Sequence, residues 1–164
     1  MIKRLTLAAV AASALLAATP SLARPMTAVD MHMMHRMGAP TVSPDGKWAL
    51  FTLSTTDLAA NKRNNVLHSL DLTRSGATPQ PVAALAGAHD AVFGGDGAVW
   101  YLKPVDGQDQ LFRLMLGSNP VQMSDLKGDI SGFKVSADGS RLVIFADRHL
   151  LCSDFACAAA TIPA

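Results

Sequence analysis

Val42-Ser43-Pro44-Asp45-Gly46-Lys47-Trp48-Ala49-Leu50-Phe51 is the stretch that decides the fold. Pro44 fixes φ at the first corner of a tight turn, Asp45 tolerates the next corner, and Gly46 can adopt the positive φ that follows. The residues after the turn alternate at the two-residue period of a β-strand. The stretch therefore predicts a β-hairpin with its turn at Asp45-Gly46.

The same pattern occurs twice more along the chain. Residues 92–101 contain the step Asp96-Gly97, and residues 135–145 contain the step Asp138-Gly139. The three aspartates stand at positions 45, 96 and 138, so successive copies begin 51 and 42 residues apart. Repeats of about 40–50 residues with several strands each are typical of β-propeller blades. The alternative is three unrelated hairpins in another β fold, but turn chemistry and spacing agree at all three places and favour the repeat.

We therefore predict an all-β chain that forms an incomplete β-propeller over residues 40–164, with two blades and part of a third. The blades are expected at about residues 40–85, 90–124 and 130–164. The predicted strands are 41–43, 47–53, 66–72 and 81–84, then 90–93, 98–103, 110–116 and 121–124, then 132–136, 141–146 and 148–152. Large apolar residues in the second blade, Trp100, Tyr101 and Phe112, are expected to fill the space between neighbouring blades.

A long polar loop is predicted between the second and third strands of the first blade, over residues 54–65. Long loops within a compact fold are either mobile or functional. Lys62 and Arg63 lie in this loop, and a solvated loop tip is favoured over a binding role for them.

The first 23 residues have the three regions of a secretory signal peptide. Lys3 and Arg4 precede an uncharged apolar run over residues 5–18, and small residues then lead to a cleavage site between Ala23 and Arg24. The apolar run is shorter than the roughly 20 residues of an ordinary membrane span, although an uncleaved anchor stays open as the alternative. We expect a periplasmic or secreted protein that has no membrane partner after signal cleavage.

A leading segment with a short helix is predicted over residues 24–39. Thr27 suits the N-cap, and Asp30, three residues later, can complete a capping box. The apolar stripe Val29, Met33, Met34 and Met37 is typical of a packing surface. His32 and His35 could contribute to a metal site, but no third ligand is evident and a solvated or capping role is favoured.

The composition excludes some partners and predicts one cross-link. Across 164 residues the formal net charge is +1 and only 16% of residues are charged, so no nucleic-acid partner is expected. Cys152 and Cys157 are the two cysteines. In an exported chain such a pair is more often bridged than free, and a disulfide between them is favoured over free thiols or a metal site.

An ordered set of motifs resembles one family of enzymes. It comprises Thr27-Ala28-Val29-Asp30, then residues 40–48, a polar stretch at 57–63, a strand at 67–72, a later blade at 135–145 and the paired-cysteine segment 152–157. Together they resemble the start of the mature chain in exported serine peptidases of the prolyl oligopeptidase family, in the acylaminoacyl peptidase and dipeptidyl aminopeptidase branch. The resemblance covers nearly all of the chain after Ala23.

The resemblance implies an N-terminal propeller followed by a C-terminal α/β-hydrolase domain. In such enzymes the propeller covers the active site and admits peptides but not folded proteins, and the hydrolase cleaves peptide bonds with a Ser-Asp-His triad. This sequence holds no Gly-x-Ser-x-Gly nucleophile elbow, because no serine has glycine two positions before it. His149 and Asp154 have no nucleophile to serve. We therefore expect no catalytic, cofactor-binding or metal-binding residue here, and interpret the chain as the amino-terminal piece of a larger peptidase.

A second class of function stays open at this point. A non-enzymatic periplasmic propeller that binds a protein or peptide, like that of the Tol-Pal envelope system, shares the hairpin turns. The leading helix and the stretch 57–63 favour the peptidase. Because repeats rely on their neighbours for burial, we also predict that the isolated mature chain aggregates or is partly disordered.

Overall fold

The computed structural model describes residues 24–148 and 150–157. The predicted signal peptide with Ala23, residue His149 and the last seven residues lie outside this range. Contacts divide the described residues into two units that meet between His32 and Met33, and every strand found in this part of the chain lies in the second unit.

Helix α1, Ala28–Met33, lies in the leading segment, and its capping box is confirmed. The amide of Asp30 donates to Thr27 Oγ1 at 3.2 Å, while the amide of Thr27 donates to Asp30 Oδ2 at 2.8 Å. Arg24 adds a salt bridge to the same carboxylate at 2.5 Å. These hydrogen bonds hold the pKa of Asp30 far below its usual range, with the Arg24 guanidinium as the largest cause.

The apolar stripe predicted for this helix is not a packing surface. The helix ends at Met33, and Met37 lies in a strand. Val29, Met33 and Met37 are 58%, 57% and 62% exposed. The prediction was wrong because helical spacing alone does not supply an element for the stripe to pack against.

The first blade is a five-stranded antiparallel sheet. Its strands are β1 Arg36–Met37, β2 Thr41–Val42, β3 Trp48–Asp57, β4 Lys62–Asp71 and β5 Gln80–Pro81. Strands β1 and β2 both pair with the same edge of β3, so together they form one interrupted inner strand. The order of the strands across the blade is therefore the inner strand, β3, β4 and β5.

The predicted loop over residues 54–65 is instead a pair of hairpin arms. Strands β3 and β4 pair without interruption from Trp48↔Asp71 to Asp57↔Lys62, which leaves only residues 58–61 as a turn. The Asp57 carboxylate closes this turn by accepting from the amide of Ala60 at 3.0 Å. Polar composition suggested a loop, but Ser, Thr and Asn side chains are equally compatible with a hairpin that projects into solvent.

The second blade is a four-stranded antiparallel sheet whose strands follow the order of the chain. Its strands are β6 His89–Phe93, β7 Val99–Val105, β8 Gln108–Leu114 and β9 Val121–Gln122, and a 3₁₀ turn at Ala83–Leu85 precedes them. The third blade is represented among the described residues by β10 Ile130–Val135 and β11 Leu142–Ala146.

The strand predicted at residues 148–152 is not found in the described part of this region. A disulfide joins Cys152 to Cys157 there, with Cα atoms 5.4 Å apart. The Arg148 guanidinium donates to the carbonyl of Ser153, and the Asp154 carboxylate accepts from the amide of Cys157 at 2.8 Å. These local contacts favour a compact turn over an extended strand, so the strand prediction was wrong.

Two hydrophobic clusters hold the three sheets together face to face. The first lies between blades one and two and contains Leu50, Leu67, Leu85, Val99, Tyr101 and Leu114. The second lies between blades two and three and contains Ala98, Trp100, Leu102, Leu111, Ile130 and Phe133. Successive residues of β7 alternate between the clusters, as the two-residue period of a strand requires. The expected role of the aromatic residues is confirmed, since Trp100 and Tyr101 are core members and Phe112 packs against the first cluster.

Candidate functional site

The first strands of all three blades line one cleft of about 550 Å³. The residues that line it from these strands and the link between β1 and β2 include Gly38, Ala39, Asp90, Ala91, Gly132 and Lys134. In a propeller the first strand of each blade lies nearest the central axis, so the cleft is the axial face of these blades. Any molecule that moved along the axis would pass these residues.

Each inner strand carries one extra residue where it borders the cleft. Relative to the paired strand, the extra residue falls between Met37 and Thr41 in the first blade, between His89 and Val92 in the second, and between Ile130 and Gly132 in the third. A β-bulge of this kind bends the strand and redirects its side chains. The repeat therefore includes an inner-strand bulge as well as the Asp-Gly turn.

Small side chains at the bulges keep the cleft open. These small residues are Gly38 and Ala39 in the first blade, Ala91 in the second and Gly132 in the third. The charged lining residues are Asp90 and, on β10, the exposed Lys134. The larger side chains of Val92, Phe133 and Phe145 complete the lining. A mostly uncharged lining of this kind suits an extended peptide better than a highly charged ligand.

His89 fixes the bulge of the second blade. Its Nδ1 lies 3.2 Å from Asp90 Oδ2, and its Nε2 lies 3.0 Å from Asp109 Oδ2 on β8. Asp90 has a positive φ of 52°, an uncommon conformation that these contacts help to hold. Burial lowers the pKa of His89, but the hydrogen bonds to Asp109 and Asp90 outweigh it, so the pKa lies above its ordinary value.

The first and third Asp-Gly turns share one hydrogen-bonding pattern. In the first, the Ser43 hydroxyl donates to Asp45 Oδ1 at 2.6 Å and accepts from the amide of Trp48 at 3.0 Å. In the third, the Ser136 hydroxyl donates to Asp138 at 2.6 Å and accepts from the amide of Arg141 at 2.9 Å. The glycines that follow, Gly46 and Gly139, have φ of 70° and 71°.

The second turn is built differently, because Gly94 stands where the other turns have serine. A Cβ at Gly94 would come within 2.8 Å of both Asp96 Oδ1 and Trp100 Nε1. Asp96 forms a salt bridge with Arg113 of β8 at 2.7 Å, and the guanidinium lies 5.8 Å from the centre of the Trp100 ring. Gly97 completes the turn with φ of 79°.

These turn aspartates are structural groups. Asp45 accepts from the amide of Lys47, Asp96 from that of Ala98 and Asp138 from that of Ser140. Hydrogen bonds from Ser136, from the Ser140 hydroxyl and from the Ser140 amide lower the pKa of Asp138 to about 2. All three carboxylates are thus committed to closing the turns and remain ionised, which makes them poor general acids at neutral pH.

The structure therefore separates the predicted turn residues from the cleft residues. The sequence identified the turns, whereas the bulges were missed because nothing in the local pattern marks them apart from Gly38 and Gly132 in strand-like contexts. Across residues 24–148 and 150–157, no group of three or more His, Cys, Asp or Glu side chains is arranged to hold a metal ion. None of the helices in this part of the chain has the length and hydrophobicity that a membrane crossing requires.

Comparison with known proteins connects this architecture to peptidases. No family model matches the chain. Dipeptidyl-peptidase 5 of Porphyromonas endodontalis is 30% identical over 130 residues, which cover 76% of this chain and 18% of the relative. The chain thus spans less than a fifth of the length of that relative.

Solved structures of peptidases are similar to this chain, and one of them shows the same fold. Acylaminoacyl peptidase from Pyrococcus horikoshii superposes with a TM-score of 0.57 at 14% identity, over 75% of this chain and 19% of that chain. The β-propeller domain of the trilobed protease from Pyrococcus furiosus has a TM-score of 0.49 at 14% identity, over 67% of this chain and 33% of that chain.

The blades and their face-to-face packing agree with the likeness to the acylaminoacyl peptidase. The predicted incomplete β-propeller is confirmed, with a five-stranded first blade, a four-stranded second blade and two strands of a third among the described residues. Together with this fold, the sequence relative supports the predicted resemblance of the chain to the propeller portion of prolyl oligopeptidase-family peptidases.

Proposed function

We propose that this chain is the N-terminal propeller segment of an exported serine peptidase of this family, and that its cleft forms part of the channel through which peptides reach an α/β-hydrolase domain. The segment itself would act by gating. Acyl transfer to a serine, followed by hydrolysis, would take place in the hydrolase domain.

One observation carries this proposal. Each of the three blades places a glycine or alanine beside the bulge of its inner strand, and these small residues leave space in a cleft that Val92, Phe133 and Phe145 also line. A propeller used only as a scaffold has no need for an open axis at this level. In the proposed channel this opening would admit an extended peptide and exclude a folded protein.

The test uses the product of the complete reading frame that contains this chain. Val92→Trp would narrow the channel from the wall of the second blade, because Val92 lines the cleft and is 36% exposed. We expect kcat/KM for peptides of about ten residues to fall about tenfold, equivalent to about 1.4 kcal/mol of transition-state stabilisation, with a smaller effect on a dipeptide-sized chromogenic substrate. Ala60→Trp is the control, because Ala60 lies exposed in the β3–β4 turn away from the cleft lining.

Several results would contradict the proposal. Equal kinetics for Val92→Trp and Ala60→Trp would show that peptides do not pass the cleft. A product with no peptidase activity that binds a periplasmic protein would favour the alternative of a non-enzymatic propeller. Retention of the chain inside the cell, with residues 1–23 still attached, would refute the export that we infer for a periplasmic or secreted enzyme.

A further inference from the structure

The β3–β4 hairpin extends further than its counterpart in the second blade. Strands β3 and β4 have ten residues each, whereas β7 and β8 have seven. At about 3.4 Å per residue, the three extra residues lengthen the hairpin by about 10 Å. This extension, residues 52–57 with their partners 62–67, is called the arm.

One face of the arm continues the wall of the axial cleft, which Thr52 lines. Alternate residues of a strand share one face of the sheet, and directly paired residues of antiparallel strands share it too. Ser54 and Thr56 therefore lie on the face of Thr52. Their partners on β4, Asn65 and Arg63, lie there as well. The Ser54 hydroxyl donates to Asn65 Oδ1 at 2.7 Å, as this placement requires.

The cleft-side face of the arm is basic. Arg63 is exposed and forms no hydrogen bond or ion pair with any residue that the structure describes. Strand β1 adds Arg36 to the same face, because it pairs with Ser54. Asp57 is the one acidic residue in the sequence of the arm, and it pairs with Lys62 on the opposite face. On the arm and β1, the cleft-side face thus carries two guanidinium groups and no carboxylate.

The side chains on this face suit an extended peptide with a carboxylate. Hydroxyl and amide groups can bond to a peptide backbone, and a guanidinium binds a carboxylate through two parallel hydrogen bonds. Thr52 and Thr56 are four residues apart, about 14 Å, which is also the span of about four residues of an extended peptide. A peptide that follows this face from the cleft therefore brings a carboxylate within reach of Arg63, which pairs with Thr56.

We propose that Arg63 determines specificity by binding a carboxylate of a peptide that lies along the cleft-side face of the arm. The carboxylate belongs to an Asp or Glu side chain or to the peptide C-terminus, about four residues from the part of the peptide beside Thr52. This inference rests on the proposed function, because it takes the axial cleft as the path of the peptide. Lys62 stays a solvated group on the other face.

The test measures peptide binding to the product of the complete reading frame that contains this chain. Labelled decapeptides carry one Glu at successive positions, each matched by a peptide with Gln there, and stopped-flow fluorescence anisotropy records binding before turnover. We expect about fivefold tighter binding for Glu at one or two adjacent positions, declining with salt because the pair is exposed. Peptides with a C-terminal acid or amide separate the terminal carboxylate from a side-chain carboxylate.

Substitutions at Arg63 should change this preference in three different ways. Arg63→Gln should abolish it, and Arg63→Glu should reverse it in favour of Lys at the same peptide position. Arg63→Lys should retain part of it, because an ammonium group supplies the charge without the paired hydrogen bonds.

Lys62→Gln is the matched control. It removes the same charge from the neighbouring residue, but on the opposite face of the arm. We expect the preference for Glu to stay within about twofold of its original value. Both residues are exposed, so neither substitution removes a buried side chain.

Two results would overturn the inference. Equal loss of the preference in Arg63→Gln and Lys62→Gln would indicate general attraction to a basic arm and not a site. Absence of any preference for a carboxylate, at every position and at the C-terminus, would show that the arm does not bind one.

Failure of the channel gives a different pattern from failure of this site. If Val92→Trp leaves peptide turnover unchanged while the Arg63-dependent preference persists, the carboxylate site stands and the channel is refuted. If Val92→Trp slows the turnover of long peptides while Arg63→Gln behaves like Lys62→Gln, the channel stands and the carboxylate site is refuted.

Discussion

Gly95 shows how a single backbone contact ties the second blade to the third. A Cβ at this position would overlap the carbonyl oxygen of Ala137, so the second and third Asp-Gly turns touch through main-chain atoms. We expect Gly95→Ala to lower the free energy of unfolding by about 1–3 kcal/mol, because backbone must move to accept the methyl group. Urea unfolding followed by tryptophan fluorescence measures this difference.

Gly38→Ala is the matched control for that substitution. At Gly38 an added Cβ would meet Thr52 at an ordinary contact distance of 3.5 Å, and the position has no positive φ. We expect a change of less than about 0.5 kcal/mol there. Equal effects at both sites would mean that the turn–turn contact does not contribute to the packing of the blades.

The acidity of Asp138 gives a second prediction for a single residue. Its pKa is lowered to about 2 by hydrogen bonds from Ser136, from the Ser140 hydroxyl and from the Ser140 amide. Ser136→Ala removes the first of these, so the pKa should rise toward 3.8, and adding Ser140→Ala should raise it further. Carboxyl carbon chemical shifts, measured against pH by NMR, report the change. An unchanged value in both variants would contradict the hydrogen-bonding pattern assigned to this turn.

At the scale of single residues, the sequence predicts local structures whose hydrogen bonds join residues close together along the chain. The Asp-Gly turns and the Thr27–Asp30 capping box follow from side chains two or three residues apart, and the structure contains both. The requirement for glycine at Gly95 depends on Ala137, which is distant in sequence, so no local pattern announces it. The same reason explains why Gly94 replaces serine where Trp100 fills the space.

At the scale of elements, the bulge of β6 should respond to pH through His89. A neutral imidazole has one N–H and can donate to only one of its two carboxylate partners, Asp90 or Asp109, whereas the protonated ring donates to both. The folded-state pKa of His89 is raised, so its stabilising contribution is complete below the ordinary value of 6.5 and is lost as pH rises through the folded value. The melting temperature should therefore fall between roughly pH 6 and pH 8.

Asp109→Asn tests the origin of this dependence. The amide can still accept a hydrogen bond from Nε2 but carries no charge, so the pKa of His89 should fall toward its ordinary value and the decline in melting temperature should shrink. Imidazole proton shifts measured by NMR give the pKa directly. Because His89 is 44% exposed, solvent screening keeps the effect modest. A steeper decline in the variant would reverse the assigned sign and refute the interpretation.

The extents of the elements were harder to predict than their existence. The central strands of each blade follow from period-two alternation, and β7 and β10 lie close to their predicted positions. Polar residues over 54–65 concealed a hairpin, because strand pairing in solvent leaves no apolar alternation to detect. The bulges could not be predicted from the sequence either. An extra residue in an inner strand is defined only by its pairing with the neighbouring strand.

At the scale of the whole molecule, the repeat spacing predicted the propeller and the order of motifs predicted its family. The axial cleft could not be predicted, because it is formed by residues from three blades that are brought together only by the ring arrangement. Each blade contributes three or four lining residues near Gly38, Asp90 and Gly132. Function at such a surface depends on the assembly of repeats and not on a motif within one of them.

The central position of the second blade leads to a prediction about cooperativity. Leu50 is buried between blades one and two, and Leu102 is buried between blades two and three. Each Leu→Ala substitution should cost about 2–5 kcal/mol as a cavity forms. Because repeats are stabilised by nearest neighbours, Leu102→Ala should increase hydrogen exchange mainly in β10 and β11, whereas Leu50→Ala should increase it mainly in β3 and β4.

Hydrogen exchange measured by mass spectrometry on both variants decides whether the blades unfold as separate modules or as one cooperative unit. The second blade contributes Val99 and Tyr101 to one cluster and Trp100 to the other, so its own amides should lose protection in either variant. If both substitutions instead raise exchange equally in all three sheets, the chain unfolds as one cooperative unit. The blades would then not be separable modules, and the nearest-neighbour account of their stability would have to be given up.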